Sequence, residues 1–478
     1  MLKNNKFKNV MFVLYLFIAL GICSLPAVMM PFTDTEKTSE NRELSTMPKF
    51  RTEDGKINLD FFYQFETYFS DHYSFREKLV TLNGSIMGGI FNTSPNNDVI
   101  IGKGDWLFYN YTIDDYTATH LMSYRGINNI CRNLELMAEY CENYGADFVF
   151  VPAPNKNSIY PEFMPERYYV TDADKNLHRV YSKLAETSVK CCDLEGALLK
   201  SKGDKLLYHQ TDTHWNNYGA NIGREAMLNT LGKSFEHMDF TNTSYTWKGD
   251  LYKMLFPSGT KLDLQFDYAD DLFTYNYVGR VRNMDDLTIK TVCDNAEGSL
   301  LMYRDSFGAA NIPFMAESFA SAEFSRIVPY KTESIASGEI DTVILEIVER
   351  NLPNLQTFAP IMPAPIRGGS GSFLTPRSYM PESDIFCEIS GDYLHIYGIL
   401  DDDFFESDDV RIYVTINDTV YEAFHAYEKE LLGESSVSSS DNGFSLFVPY
   451  LESAEIWVTT YCDDAPLYRS ESVEWGKE

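Results

Sequence analysis

Three uninterrupted apolar runs constrain the fold of this chain more than any other feature. They are Asp147 to Pro152 (DFVFVP), Gly298 to Tyr303 (GSLLMY) and Asp341 to Val348 (DTVILEIV). Helical periodicity marks the segments around them, including a face that runs from Ile127 to Cys141. Continuous apolar runs that alternate with helices are typical of a mainly parallel sheet covered on both faces. The sequence therefore predicts a central α/β unit.

Composition divides the chain, because 478 residues exceed what one hydrophobic core usually holds. The segment Pro360 to Ser372 (PIMPAPIRGGSGS) is rich in Pro, Gly and Ser, which is typical of a linker. Beyond it, about seven short runs with partial alternation predict an all-β sandwich. We therefore expect a cytoplasmic tail and signal anchor (1–30), a stalk (31–60), an α/β domain (61–360), a linker (361–375) and a β-sandwich (376–478).

An uncharged apolar run from Val10 to Met30 precedes these domains. A helix of this length can cross the hydrocarbon core of a bilayer. Lys3, Lys6 and Lys8 come before the run, so the positive-inside rule predicts a cytoplasmic N-terminus and an extracytoplasmic bulk. A cleavable signal peptide is the alternative, but no small-x-small cleavage site follows the run cleanly. We expect a retained single-pass anchor in the cell membrane.

Two further patterns lie between the anchor and the predicted sheet. Aromatic residues recur at helical spacing at Phe61, Phe62, Phe65, Tyr68 and Phe69. They predict an amphipathic helix of roughly twenty residues that packs its aromatic stripe against the domain. The segment Val99 to Asn110 (VIIGKGDWLFYN) has two apolar runs around a tight-turn composition, which predicts a β-hairpin.

Charge and cysteine content exclude several classes of protein. A net charge of −30 would repel a phosphate backbone, so we expect no nucleic-acid partner. The eight cysteines have no C-x-x-C spacing, so neither a disulfide framework nor a zinc site is predicted. We expect no metal and no cofactor.

Two short segments carry residues suited to nucleophilic catalysis. The first, Thr211 to Asn217 (TDTHWNN), lies between a predicted strand at Lys205 to His209 and a helix. The second, Tyr303 to Gly308 (YRDSFG), follows an apolar strand and opens another helix. Open α/β sheets gather their functional loops at the C-terminal ends of strands. We therefore expect the two segments to meet at one edge of the sheet.

Asp212, His214 and Ser306 in these segments have the chemistry of a catalytic triad. Asp212 would fix the tautomer of His214, and His214 would deprotonate Ser306. A position at a helix N-terminus would let the backbone N–H of Ser306 face a developing oxyanion. Taken singly, Asp305 or Ser306 is more often a helix cap. Asp-x-His is also a metal pair, although the sequence suggests no third ligand nearby.

Four ordered motifs give the chain a more specific resemblance. They are Pro-Asn-Lys-Asn-Ser-Ile-Tyr-Pro around Asn155, Asp-Thr-His-Trp-Asn followed by Tyr-Gly-Ala, Arg-Asp-Ser-Phe-Gly, and Glu-Ile-Val-Glu-Arg-Asn. Over about residues 40 to 360 the chain resembles the DHHW proteins and the AlgX and AlgJ alginate acetylation proteins. The resemblance implies an SGNH-hydrolase-like α/β/α fold in permuted order, with the Asp-x-His block before the Ser block. The motif that names the family has His where this chain has Thr213, so no catalytic role is expected there.

The resemblance also assigns roles to individual residues. It implies that Asp212, His214 and Ser306 form the triad. The implied oxyanion or substrate-binding candidates are Arg350, Asn351, Asn155 and Lys156. A surface salt bridge is an equally frequent role for Arg350 or Asn351.

The activity that the resemblance implies is O-acetylation of a cell-surface or secreted polysaccharide through an acetyl-serine intermediate. A membrane-bound O-acyltransferase would be the partner that supplies the acetyl group, and the polysaccharide would be the acceptor. Two alternatives stay open: a carbohydrate acetylesterase and a noncatalytic polysaccharide-binding assembly subunit. The C-terminal sandwich is a candidate carbohydrate-binding module, although core packing is the more frequent role for its aromatic residues.

Overall fold

The computed structural model describes residues 2–33, 44–52, 54–369, 376, 378–380, 384–429, 440–462 and 465–476. Residues 34–43 and 53 of the predicted stalk lie outside the described residues, as do residues 370–375 of the predicted linker.

Three α-helices precede the first strand among the described residues: α1 (Leu2–Met29), α2 (Phe61–His72) and α3 (Arg76–Phe91). Within the described part of the chain, one helical segment, Val10–Phe32, is long and apolar enough to cross a membrane. It comprises most of α1 and a 3-10 turn (Met30–Phe32), and it is consistent with a single-pass membrane anchor.

The aromatic stripe of α2 differs from its prediction. The helix ends at His72, and Phe75 adopts left-handed backbone (φ 64°) before α3 begins. Phe62 is 78% exposed, and Phe65 and Phe69 are exposed as well. The prediction that this stripe packs in the core was wrong, because α2 buries only Asp71 and His72 at its C-terminal end.

The α/β domain contains eleven strands and nine helices among the described residues. The strands are β1 (Val99–Ile101), β2 (Leu107–Tyr109), β3 (Asp147–Ala153), β4 (Lys190–Cys191), β5 (Asn242–Trp247), β6 (Asp263–Asp267), β7 (Asn276–Tyr277), β8 (Thr288–Val292), β9 (Ser299–Tyr303), β10 (Ser321–Ser325) and β11 (Thr342–Val348). The helices are α4 (Ile113–Thr117), α5 (Tyr124–Asn143), α6 (Lys156–Ile159), α7 (Asn176–Leu184), α8 (Leu194–Ser201), α9 (Asn217–Leu231), α10 (Asp250–Leu255), α11 (Ile312–Ala316) and α12 (Glu333–Ala336). The 3-10 helices are Asn110–Thr112, Pro161–Phe163, Asp270–Leu272, Phe307–Asn311 and Glu349–Gln356.

One seven-stranded sheet, in the order β4-β3-β11-β9-β10-β8-β7, organises this domain. The first five strands are parallel, and β8 and β7 extend the sheet in antiparallel pairing. The three apolar runs of the sequence form β3, β9 and β11 at its centre, and every residue of β9 and β11 is buried. The hairpin β1–β2 also forms where the sequence predicts it.

Side-chain alternation along the central strands supplies two hydrophobic layers. Val149 and Val151 of β3 point into a core that α8 and α9 help to cover. Phe148 and Phe150 point into a second core, which α5 and α7 cover. Because both faces of the strands are buried, the sequence shows continuous apolar runs and not alternation. The predicted α/β/α class is confirmed.

The C-terminal domain is all-β, as predicted, and consists of two packed sheets. Its strands are β12 (Ile366–Gly369), β13 (Ser378–Met380), β14 (Asp384–Ser390), β15 (Tyr393–Ile399), β16 (Arg411–Ile416), β17 (Thr419–Glu422), β18 (Gly443–Pro449), β19 (Ala454–Cys462), β20 (Ala465–Ser470) and β21 (Val473–Trp475). One sheet has the order β12-β17-β16-β19-β20-β13 with β21 paired to β19, and the other is β14-β15-β18. Strand β12 lies within the predicted linker and pairs with β17.

Helix α5 joins the two domains. Phe424 and Phe447 of the sandwich enter the hydrophobic core that α5 covers. Arg132 of α5 donates two hydrogen bonds to the buried Glu422 of β17, at 2.7 and 2.8 Å. The sandwich therefore packs on the α/β domain through both apolar and ionic contacts.

Candidate active site

Ser306 lies at the turn that leaves the central strand β9. Asp305 holds this turn with both carboxylate oxygens: Oδ1 accepts from the Phe307 N–H at 2.8 Å, and Oδ2 accepts from the Val348 N–H at 2.9 Å. Val348 is the last residue of the neighbouring strand β11. The turn therefore places Ser306 at the C-terminal edge of the sheet, directly before the 3-10 helix Phe307–Asn311.

The loop that carries Asp212 and His214 does not follow a sheet strand. Residues 205–209, predicted as a strand, are irregular and contain one isolated bridge, between Tyr208 and Trp215. The predicted strand at 205–209 was wrong. Hydrogen bonds from a buried lysine, and not pairing with a neighbouring strand, support this loop. Lys156, three residues after β3, is buried and donates from Nζ to the carbonyl oxygens of residues 209, 210 and 212 at 3.2, 3.1 and 2.5 Å.

The structure brings Asp212, His214 and Ser306 together in the order that a proton relay requires. His214 Nδ1 lies 2.7 Å from Asp212 Oδ1, and His214 Nε2 lies 3.0 Å from Ser306 Oγ. Because a carboxylate only accepts, Nδ1 carries the proton in the neutral ring, and Nε2 accepts from the Ser306 hydroxyl. The His214 side chain is 24% exposed, so the site is open to solvent.

A second segment, residues 247–250, fixes the orientation of Asp212, and the sequence did not reveal it. Trp247 at the end of β5 donates its indole N–H to Asp212 Oδ2 at 2.8 Å, and the Asp250 backbone N–H donates to the same oxygen at 2.9 Å. Gly249 lets the segment approach, because a Cβ there would lie 2.2 Å from the Thr211 carbonyl oxygen. A Gly between Trp247 and Asp250 was the one available signal, and it is not specific.

Asp250 is also a second carboxylate beside the base. Its Oδ2 lies 3.7 Å from His214 Nδ1. The Thr213 hydroxyl donates to the same oxygen at 2.6 Å and lies 3.0 Å from His214 Nδ1. Thr213, which replaces the first His of the family motif, thus connects Asp250 to the imidazole.

The two carboxylates set the charge state of His214. Burial lowers the pKa of His214, but the hydrogen bond and negative charge of Asp212, with a contribution from Asp250, outweigh it and hold the pKa above its usual value. Burial raises the pKa of Asp212, yet the hydrogen bond and charge of His214 keep it far below its usual range. The ionised Asp212 therefore favours the imidazolium that forms when His214 takes a proton.

Asp212, His214 and Asp250 offer ligand atoms within 4.8 Å of one another, which is also metal-binding geometry. However, Asp212 Oδ1 accepts from the backbone N–H and the ring of His214, and Oδ2 accepts from Trp247 and Asp250. A carboxylate has about four acceptor positions. A cation would have to displace these N–H donors, so the donor set fits a histidine-orienting carboxylate better than a metal ligand.

The four oxyanion or substrate-binding candidates make different contacts around the triad. The Arg350 guanidinium lies 5.2 Å from the ring centroid of Phe307, next to Ser306, and its charge lowers the pKa of His214. Asn351 donates its amide to Asp305 at 3.1 Å, and Asn155 is fully buried and donates to Asp115. Lys156 donates to the carbonyl oxygens of the loop, whereas the charge of Arg350 acts on His214.

Known proteins match part of this chain. Residues 99–267 match the family model for the SGNH hydrolase-like domain, acetyltransferase AlgX. This match includes Asp212 and His214 and ends before Ser306. The chain is 24% identical over 165 residues to a probable alginate O-acetylase AlgJ from Pseudomonas syringae pv. tomato, which covers 34% of this chain and 40% of that relative.

Two solved structures are also similar. One is Bacillus cereus PatB1 with a sulfonyl adduct (21% identity, TM-score 0.44, 54% of this chain and 96% of that chain). The other is a DHHW family protein from Eubacterium siraeum (17% identity, TM-score 0.39, 48% of this chain and 87% of that chain). Over part of its length, this chain is therefore similar to the AlgX and AlgJ-like SGNH hydrolase-like proteins.

Proposed function

We propose that this chain is an extracytoplasmic O-acetyltransferase that modifies a cell-surface or secreted polysaccharide through an acetyl-serine at Ser306. The observation that carries the proposal is the relay from Asp212 through His214 to Ser306, with contacts of 2.7 and 3.0 Å. The acetyl group and the polysaccharide class come from the family model, described as an acetyltransferase, and from a relative named for alginate O-acetylation.

In the first half-reaction Ser306 Oγ attacks the carbonyl carbon of an acetyl donor while His214 Nε2 takes the hydroxyl proton. The carbonyl electron pair moves to oxygen and gives a tetrahedral oxyanion. The Ser306 backbone N–H, before the 3-10 helix, and the Arg350 guanidinium are the groups we assign to its stabilisation. The intermediate collapses, the bond to the donor breaks, and the departing group takes the proton from His214.

In the second half-reaction a sugar hydroxyl approaches the acetyl-serine from the open side of His214. His214 Nε2 takes its proton, the sugar oxygen bonds to the acetyl carbon, and Ser306 Oγ leaves and recovers the proton. Water in place of the sugar would give acetate and a carbohydrate acetylesterase. The choice depends on which acceptor is held beside the acetyl-serine.

The anchor determines where this chemistry takes place. Basic residues before Val10 would hold the N-terminus in the cytoplasm and the triad outside. A membrane-bound O-acyltransferase is the partner we propose as the acetyl source, since an anchored acceptor enzyme stays close to a membrane-embedded donor.

The test uses the full-length chain in bilayer nanodiscs. A chromogenic acetyl ester is supplied with and without oligosaccharides, beside the Ser306→Ala variant, and products are followed by mass spectrometry. We expect one acetyl group on the Ser306 peptide and acetylated oligosaccharide, both lost in Ser306→Ala. Equal ester turnover by the two proteins would contradict the triad. Acetate as the sole product with every acceptor would select the esterase, and sugar binding without an adduct would select the noncatalytic subunit.

A further inference from the structure

Helices α2 and α3 carry large apolar side chains that the other described residues of the protein leave exposed. On α2 the exposed side chains Phe62, Phe65 and Phe69 follow one stripe. On α3 the stripe consists of Leu82, Ile86 and Ile90, which are 55%, 42% and 74% exposed. We call these six residues the α2–α3 face. Exposed apolar side chains clustered on surface helices mark a contact with another protein or with a membrane.

The stripe on α3 points directly away from the α/β domain. Gly84 and Gly88 form the opposite side of the helix, since residues two apart differ by about 200° in a helix of 3.6 residues per turn. A Cβ at Gly84 would lie 2.6 Å from the Leu255 carbonyl oxygen, and one at Gly88 would lie 3.0 Å from Ile101. The helix therefore packs its smallest residues inward and presents its largest ones outward, the reverse of a helix that serves the domain core.

The turn between α2 and α3 is attached to the apolar span. Ser74, which is fully buried, donates its backbone N–H to the carbonyl of Pro26 at 3.2 Å. Its hydroxyl also lies 2.6 Å from the Thr33 hydroxyl. These two contacts fix the turn beside the last helical turns of the segment Val10–Phe32.

The position of Pro26 sets the level of this turn. Pro26 lies six residues before Phe32, which is about 9 Å at the helical rise. The whole span measures about 35 Å, against a hydrocarbon core of about 30 Å. If α1 spans the bilayer, the α2–α3 turn lies near the boundary between acyl chains and headgroups. Aromatic and aliphatic side chains on helices at that level bind the interface.

We propose that the α2–α3 face docks on the lipid surface of the membrane that α1 spans, an inference that rests on the anchoring in the proposed function. Lipid is the occupant that the attachment to Pro26 favours, because the face begins at the level of the bilayer boundary. The strongly acidic chain has little electrostatic attraction to anionic lipid, so apolar contact supplies the docking energy.

Docking would also fix the height of the triad above the membrane. Gly84 of α3 packs against Leu255, the last residue of the short helix α10. Asp250, the first residue of α10, lies 3.7 Å from His214 Nδ1. These six residues separate the α3 packing surface from the triad loop by about 9 Å. The active site is thus coupled to a membrane-docked helix through one rigid element, which suits transfer from a membrane-embedded acetyl donor.

The experiment introduces the photocrosslinker p-benzoylphenylalanine in place of Leu82 or Ile86 in the full-length chain. Ser85 is the matched control, since it is exposed on the same helix but lies on another side. After illumination of native membranes, we expect phospholipid adducts at positions 82 and 86, roughly fivefold more than at 85, as for an interfacial helix. Protein adducts at 82 and 86 would instead identify a partner protein or a second copy and overturn the lipid assignment, as would equal adducts at all three positions.

The readout is independent of acyl transfer. The same crosslinking is repeated in the Ser306→Ala background, where the adduct pattern should be unchanged. Purified chain in phosphatidylglycerol and phosphatidylethanolamine vesicles, which contain no other protein, should give the same lipid adducts. Failure of the lipid adducts with intact ester turnover would therefore reject the docking without rejecting the enzyme.

Discussion

Among the described residues, two clusters combine a serine, a histidine and a carboxylate, one in each domain. The triad cluster consists of Asp212, His214 and Ser306. The sandwich cluster consists of His395 on β15, Glu428 in the loop after β17 and Ser445 on β18. In the sandwich cluster His395 Nε2 lies 2.9 Å from Ser445 Oγ and 3.1 Å from Glu428 Oε1. Both clusters contain a serine, a histidine and a carboxylate, so any difference in chemistry comes from the arrangement of their hydrogen bonds and from their access to substrate.

The two clusters differ in which groups are hydrogen-bonded to each other. In the triad cluster the carboxylate and the serine contact opposite nitrogens of His214, so a proton can pass from one side to the other. In the sandwich cluster Glu428 and Ser445 contact the same nitrogen of His395 and Glu388 contacts the opposite one, but the Ser445 hydroxyl donates directly to Glu428. Glu428 therefore competes with His395 for the hydroxyl proton of Ser445 and does not orient the imidazole ring.

Access and backbone separate them further. Ser306 lies half-buried before a 3-10 helix, whereas Ser445 is fully buried within a strand and exchanges both backbone hydrogen bonds with Phe424. His395 is 3% exposed. No substrate carbonyl can reach Ser445, and its N–H is already used. In this chain the serine that a substrate can reach is the one that follows the end of a strand.

The largest expected effect is a difference in turnover between the alanine variants of Ser306 and Ser445. Ser306→Ala should lower ester turnover by roughly three orders of magnitude or more, because the nucleophile is lost. Ser445→Ala should leave turnover within about twofold and lower the free energy of unfolding by about 1–3 kcal/mol, because Glu428 and His395 lose a buried partner. Steady-state kinetics and chemical denaturation of both variants measure these outcomes. A comparable loss of turnover in Ser445→Ala at unchanged stability would contradict the distinction.

The fold was predictable where one signal dominated. Strands β3, β9 and β11 are buried on both faces, so their apolar runs indicated a parallel sheet without tertiary information. The stripe of α2 was misassigned because helical periodicity shows that a face is apolar but not what covers it. In this chain the aromatic side chains are exposed beside the span, where the solvent for that face is proposed to be lipid.

The site was predictable only in part. Asp212 and His214 are two residues apart and Ser306 follows a buried strand, so the sequence motifs could be paired. Trp247 at the end of β5 and Asp250 at the start of α10 are distant in sequence from Ser306, and only tertiary structure brings them to Asp212. The role of Lys156 was likewise hidden, since three carbonyl acceptors leave no trace in side-chain composition.

The second prediction concerns support of the loop, which the triad cluster needs and the strand-borne Ser445 does not. Lys156→Met removes three hydrogen bonds from a buried ammonium and should lower turnover by about tenfold to a hundredfold, with a loss of about 2–4 kcal/mol of stability. Lys202→Met is the control, because its ammonium also donates to a carbonyl, that of Ile159, but away from the triad. If both variants kept full turnover at equal stability, the loop would not depend on Lys156.

The third prediction tests the second oxygen of Asp212. Trp247→Phe retains an aromatic ring beside His209, which stacks on Trp247 at 5.0 Å, but removes the N–H donated to Asp212. A hydrogen bond to a charged group is worth about 1.5–3 kcal/mol, so kcat should fall by about tenfold or more while KM changes little. Tyr245→Phe, on the same strand and 70% exposed, should leave kcat unchanged. Equal effects of the two changes would remove Trp247 from the site.

The smallest expected effect is a shift in the pH dependence of turnover. It arises from Asp250, the second carboxylate beside His214. His214 must be neutral to accept the Ser306 proton, so turnover is lost as pH falls through its pKa. That pKa lies above its usual value, and Asp250, 3.7 Å from Nδ1, contributes to the rise. Asp250→Asn removes this charge, so the pKa of His214 falls and the acidic limb of the kcat/KM profile moves to lower pH.

Glu388→Gln provides the matched change in the sandwich cluster, since Glu388 lies 3.1 Å from His395 Nδ1. It should leave the pH profile unchanged, because His395 takes no part in turnover. A profile that moved to higher pH in Asp250→Asn, or that moved equally in Glu388→Gln, would contradict the assignment of Asp250 as a carboxylate whose charge raises the pKa of His214. A shift confined to Asp250→Asn would instead show that the base depends on two carboxylates, one bonded directly and one acting through Thr213 and charge.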